Sequence, residues 1–259
     1  LNVDQNVFNG CSRSIYLSGY VNNPVITRNA CNLTLGTSDT TYGIYASASN
    51  YYSIQENNIT GQSQTLSYGI IVNNSGPYDN YVYKNFLTNL KYGCVAKGQN
   101  ANGYSEVPNV GLQFKCNVFT NVFYNIAVFP CTTCSPSYDG TIKRFQGICD
   151  GTTTGPAGNQ FLSFPPGGFS LWKENPPNII YRHHNNSPYL PPAIILNFAL
   201  SNCGISGSET SCPSLLGGGG GSSAMMMNSI GNASSETDSM IALIDGGNTQ
   251  KLLDQIADA

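Results

Sequence analysis

Five copies of one short pattern run through the first half of the chain: an apolar residue, two others, Asn, one other, and a second apolar residue. They read Val3…Asn6…Phe8, Ile26…Asn29…Cys31, Ile54…Asn57…Ile59, Val82…Asn85…Leu87 and Phe114…Asn117…Phe119. The Asn-to-Asn steps are 23, 28, 28 and 32 residues. Self-similarity at such a period marks a solenoid, whose units bury their apolar faces only by stacking on one another. No stretch between residues 1 and 129 keeps a helical period, so the stacked unit must be made of strands.

Each copy is followed by a second apolar alternation: Ile15-Tyr16-Leu17, Ile44-Tyr45-Ala46, Ile70-Ile71-Val72, Cys94-Val95-Ala96 and Ile126-Ala127-Val128. With the first and third positions inward and the middle one outward, this is the alternation of a strand with one buried face. Tyr-Gly precedes three of these elements (Tyr42-Gly43, Tyr68-Gly69, Tyr92-Gly93), and Tyr124-Asn125 precedes the fifth. The Gly and Asn read as left-handed turn residues entering the strand. Coils of this length with two or three short strands predict an all-β, right-handed parallel β-helix over residues 1–129. At ~4.8 Å per coil, five coils give a rod roughly 24 Å long.

In that register the Asn residues form a column. Asn tolerates a left-handed bend, and its amide can bond the Asn of the next coil, so the column reads as an internal ladder rather than a ligand site. The residues just before the Asn are Gln5, Arg28, Glu56, Lys84 and Cys116. Arg28, Glu56 and Lys84 would then stack with alternating sign, as cross-strand pairs prefer. These charges read as salt bridges, not as a catalytic cluster.

Only 10% of the 259 residues are charged and the net charge is −3. A nucleic-acid binder would carry a basic face, so that class is excluded. No apolar run reaches the roughly 18 residues that span a bilayer. The chain opens on Leu1 inside a repeat, without a signal-peptide pattern, which predicts further coils or a cap before it. Of the nine Cys, Cys31, Cys94 and Cys116 fall on or beside inward columns and read as small core residues. Cys11 sits in a turn. Cys203 and Cys212 flank a Gly/Ser loop and read as a local disulfide. Cys131, Cys134 and Cys149 are the other disulfide candidates, because a zinc site would want a second Cys or His pair at proper spacing. Disulfides imply an oxidising, extracytoplasmic setting.

Residues 130–216 change character, with Pro and Gly clustered at Pro165 to Gly168, Pro176-Pro177 and Pro191-Pro192. They read as an irregular, disulfide-tied cap that closes the last coil and covers its edge. Residues 217–235, opening on Gly217 to Gly221, read as a flexible linker. Residues 236–259 switch to a helical period. Met240, Ile241, Leu243 and Ile244 make one short helix, and Asn248 caps a second that carries Leu252, Leu253 and Ile256.

Extracellular parallel β-helices that cleave glycans need two or three carboxylates on one face, or acidic calcium ligands with an Arg or Lys base. The coils hold only Asp4, Asp39, Glu56, Asp79 and Glu106, with no clustered pair. No catalytic residue, metal ligand or cofactor is therefore expected. Asn32, Asn58, Asn73, Asn185 and Asn232 satisfy Asn-x-Ser/Thr, at a frequency that chance explains in so Asn-rich a chain. What remains is the column Tyr42, Tyr68, Tyr92 and Tyr124. It reads as corner packing or, alternatively, as a carbohydrate-binding edge.

The repeats over roughly residues 1–216 resemble those of right-handed parallel β-helix proteins of the Bacteroidota cell surface. The tail Leu243-Ile244-Asp245-Gly246-Gly247-Asn248-Thr249-Gln250 is similar to linker helices in long surface proteins exported by the type IX secretion system. This resemblance implies an extracellular location, contact with the secretion machinery during export, and further domains beyond the tail. The function expected is a non-catalytic structural or adhesive module of a large secreted or cell-surface protein, with surface glycans or other surface proteins as partners. The alternative is a carbohydrate-active or carbohydrate-binding β-helix.

Overall fold

A computed structural model describes residues 1–19, 21–34, 40–62, 66–102, 110–131, 140–175, 179–192 and 194–216. One compact unit spans Leu1–Cys212, and a second comprises Pro213–Ala259. The Gly-rich linker, the expected helical tail and Cys134 lie outside the described residues, as do Asp39, Glu106 and Asn232.

The first coil is β1 (Asn2–Asp4), β2 (Val7–Cys11) and β3 (Arg13–Leu17). The second is β4 (Val25–Thr27), β5 (Ala30–Leu33) and β6 (Thr41–Ser47), and the third β7 (Ser53–Gln55), β8 (Asn58–Thr60) and β9 (Ser67–Asn73). In the next two, one long strand runs through a corner: β10 (Tyr81–Tyr83) with β11 (Phe86–Lys97), then β12 (Gln113–Lys115) with β13 (Val118–Phe129). Every coil pairs in parallel with the next, so the β-helix predicted from the repeat is present. One face runs Val3, Ile26, Ile54, Val82, Phe114 in strict register. The third face runs Ile15, Ile44, Ile70, Cys94, Ile126. Both sets, Val3 apart, are buried and share one apolar core.

The stack does not stop at residue 129. Strands β14 (Phe145–Gln146), β15 (Gln160–Ser163), β16 (Phe169–Lys173), β17 (Ile179–His183), β18 (Ile194–Leu196) and β19 (Phe198–Asn202) follow. Here β15 and β16 both pair with β13, and β14, β17 and β19 form their own parallel sheet. The Gly/Pro-rich segment thus continues the coils through short strands between longer loops.

The Asn column is a ladder of buried amides. Asn29 donates its main-chain N–H (3.0 Å) and its side-chain Nδ2 (2.9 Å) to Asn57 Oδ1. Asn57 repeats both bonds to Asn85, and Asn85 to Asn117. Each Nδ2 also donates back to a main-chain carbonyl of the preceding coil, as Asn57 does to Ile26. Asn117 extends the ladder to a sixth rung, Asn159. The left-handed residue is not the Asn but the one before it: Gln5, Arg28, Glu56, Lys84 and Cys116 have φ of 57°, 54°, 53°, 53° and 60°. The ladder's two bonds to each Asn hold the corner that these non-glycine residues would otherwise resist.

Four further readings need correction. Gly43, Gly69 and Gly93 do not have positive φ. A Cβ at Gly69 would lie 2.4 Å from Leu87 Cδ2, and one at Gly93 2.7 Å from Phe119. Glycine is needed there for close packing, not for a turn. Cys203 and Cys212 do not pair with each other. Cys203 bonds Cys149, and Cys212 bonds Cys116, because the last coils fold back beside the corner that Cys116 occupies. Cys116 is therefore buried but not a free core thiol, whereas Cys31 and Cys94 are. Cys131 is also disulfide-bonded. In the charge column Lys84 faces Glu56 at 3.9 Å, but Arg28 turns to Asp4 of the first coil.

Candidate functional site

The face built by β3, β6, β9, β11, β13 and β16 is apolar on both sides. Its inward residues feed the main core. Its outward middle column, Tyr16, Tyr45, Ile71, Val95, Ala127 and Trp172, carries a second cluster in which Ile71, Val95 and Ala127 are fully buried. An outward column on a solvent-facing strand would ordinarily be polar. The signal was present in the sequence, since the middle residue of each three-residue element is apolar.

Beside that column lie the four predicted tyrosines. Tyr42, Tyr68, Tyr92 and Tyr124 occupy one register line, which Phe169 extends. The rings of Tyr68 and Tyr92 stack at 4.6 Å, Tyr92 and Tyr124 at 4.8 Å, and Tyr124 and Phe169 at 5.1 Å, all within 11° of parallel. Tyr42 shares the line but tilts toward Tyr45 and Tyr16 instead. The spacing is that of neighbouring strands, so the faces between successive rings of the stack cover one another. Ring edges and hydroxyls, not faces, are what the column offers a ligand.

Tyr68 and Tyr92 line a cavity of about 520 Å³ together with Tyr45, Asn73, Lys97, Phe129, Pro130, Cys131 and Glu174. Tyr42 and Tyr124 are not among its walls. Strand register places Asn73, Lys97 and Phe129 side by side along its length. Burial raises the Tyr45 and Tyr68 hydroxyls above the usual tyrosine range, and it pushes Tyr92 up to about 12. Burial also lowers the Lys97 ammonium, which sits 5.7 Å from the centre of the Tyr68 ring. Neutral hydroxyl donors and a partly desolvated cation thus converge on one concave groove, where a few polar groups beside aromatic rings make up a ligand site.

The three coil carboxylates among the described residues are paired with cations outside the groove. Asp4 bonds Arg28 and Thr27, Glu56 faces Lys84, and Asp79 accepts from Lys143 at 3.1 Å. Arg28, followed by Thr27, holds the Asp4 carboxyl below its usual range. Among the described residues no group of three or more His, Cys, Asp or Glu side chains is placed to hold a metal ion, and no helix is long and apolar enough to cross a membrane. Comparison with protein-family models, with curated proteins and with solved structures returns no match.

Proposed function

We propose that this chain is a non-catalytic structural and adhesive module of a secreted or cell-surface protein, and that it holds surface glycans or another surface protein in the tyrosine-lined groove. The observation that carries this reading is the second apolar cluster on the outside of the stack, opening into a 520 Å³ cavity. A rod with only a structural role would not need a buried apolar column on its outer face. The pairing of Asp4, Glu56 and Asp79 with cations favours adhesion over glycan cleavage, which needs free paired carboxylates. The disulfides suit the oxidising setting of such a protein, and export through a type IX route is the path that the resemblance of the repeats and tail implies.

The test is binding of the oxidised chain to a panel of immobilised polysaccharides, with release of soluble fragments followed in the same wells. Retention without fragments is expected, weakened at least fivefold by Tyr92→Phe, which keeps the ring and removes its hydroxyl. Depolymerisation at a measurable rate, or retention indifferent to every groove substitution, would overturn the reading.

A further inference from the structure

The protein as a whole is acidic, yet the aromatic face is cationic. Lys97 Nζ stands 5.7 Å from the centre of the Tyr68 ring at the groove wall. Lys91 Nζ lies 4.1 Å from the Phe123 ring centre and 5.5 Å from that of Tyr124. One carboxylate, Glu174, shares the groove, and no ion pair forms between it and Lys97. Burial lowers the Lys97 ammonium, and among the described residues no carboxylate forms an ion pair with it. A cation drawn out of water without a counter-ion is unfavourable unless an anion completes the site.

The tyrosine hydroxyls point the same way. Among the described residues the hydroxyls of Tyr68, Tyr92 and Tyr124 find no hydrogen-bond partner, and these oxygens are not sealed from solvent. Successive rings repeat at 4.6 and 4.8 Å. A row of phenol donors at that interval beside an ammonium matches an extended chain that presents acceptor oxygens and negative charge at regular intervals. The rings cannot sandwich a base or a sugar, because their faces already cover one another. This disfavours single-stranded nucleic acid, whose non-specific binding depends on open aromatic faces.

Resting on the adhesive reading above, we infer that the groove binds an acidic polysaccharide, with Lys97 pairing a carboxylate or sulfate group and the Tyr68 and Tyr92 hydroxyls bonding the neighbouring oxygens. Ammonium-to-anion hydrogen bonds are the strong kind, so Lys97 should dominate selectivity.

The experiment titrates the full oxidised chain with polygalacturonate, alginate and chondroitin sulfate. Fully methyl-esterified polygalacturonate serves as the uncharged counterpart and an oligothymidine as a non-glycan polyanion. At least one acidic glycan should bind, about tenfold more weakly to Lys97→Gln and with near-native strength to Lys97→Arg, and binding should fall as salt rises. Circular dichroism of each variant confirms the fold. Equal binding of the esterified polymer, or of the oligothymidine, overturns the inference. So does Lys97→Gln binding as wild type does. If Tyr92→Phe still weakens retention of a neutral glycan in that case, adhesion at the groove stands and only the ligand class is wrong. If no acidic glycan binds, the inference fails outright.

Discussion

Asn57→Ala tests whether the asparagine ladder holds the coils together. Asn57 sits in the middle rung and is fully buried. Truncating it removes the acceptor for Asn29 N–H and Asn29 Nδ2, at 3.0 and 2.9 Å, and the donor to the Ile26 carbonyl at 2.9 Å. Asn29 Nδ2 keeps its bond to the Val3 carbonyl, so the main-chain N–H of Asn29 and the Ile26 carbonyl bear most of the loss. Each orphaned buried group costs about 1–3 kcal/mol, which puts the substitution at roughly 2–6 kcal/mol, a large part of the 5–15 kcal/mol typical of a domain. Asn6→Ala is the internal control. Asn6 is exposed, and its main-chain N–H still bonds Asn29 Oδ1, so water can replace what is lost and the cost should stay under about 1 kcal/mol. Urea unfolding of the oxidised proteins, followed by far-UV circular dichroism, gives the two midpoints. Equal losses for the two variants, or a loss below about 1 kcal/mol for Asn57→Ala, would refute the claim that the buried rungs carry the stack.

Two further outcomes follow from the same geometry. Non-reducing peptide mapping should recover Cys116 joined to Cys212 and Cys149 joined to Cys203; a peptide joining Cys203 to Cys212 would show that the last coils do not return to the fifth. Lys115 supplies a pH dependence: burial pushes its ammonium down to about 8, against the pull of Asp150, while its Nζ bonds the Thr154 and Gly155 carbonyls at 3.1 and 3.3 Å. An unfolded lysine keeps its proton to about pH 10.4. Between those values the unfolded chain binds the extra proton, so stability should rise with pH across the window. The thermal midpoint of wild type relative to Lys115→Met should climb from pH 8 to pH 10, and a flat or falling difference contradicts the assignment.

The parts of the fold that were legible in the sequence are those where one residue type repeats under one constraint. Asn29, Asn57, Asn85 and Asn117 recur because only an amide can both accept and donate at that corner. The inward pairs recur because the core admits only apolar residues. The sixth rung was harder to see. Pro156-Ala157-Gly158-Asn159-Gln160-Phe161 keeps the Asn and the apolar residue after it, with Gly158 at the left-handed corner (φ 66°). However, Pro opens the copy, and the step to it is 42 residues. The disulfide partners could not be read at all, since Cys116 meets Cys212 only through the stacking of the intervening coils. At the groove, the tyrosine column was readable as a line of four residues. That its rings close on one another, and that Lys97 stands beside them, depends on strand spacing and side-chain direction that no local pattern records.

The Cys116–Cys212 bond also bears on how the protein would behave under tension. It bridges 96 residues of chain, a stretch that would reach roughly 330 Å if drawn out at ~3.4 Å per residue. While the bond is intact, a pull applied to the two ends can unravel only the turns before Cys116, and the enclosed length stays out of the load path. Reduction would release it. Coils loaded from both sides would thus have a fixed stop in an oxidising environment, and a longer, softer reach once these thiols are free.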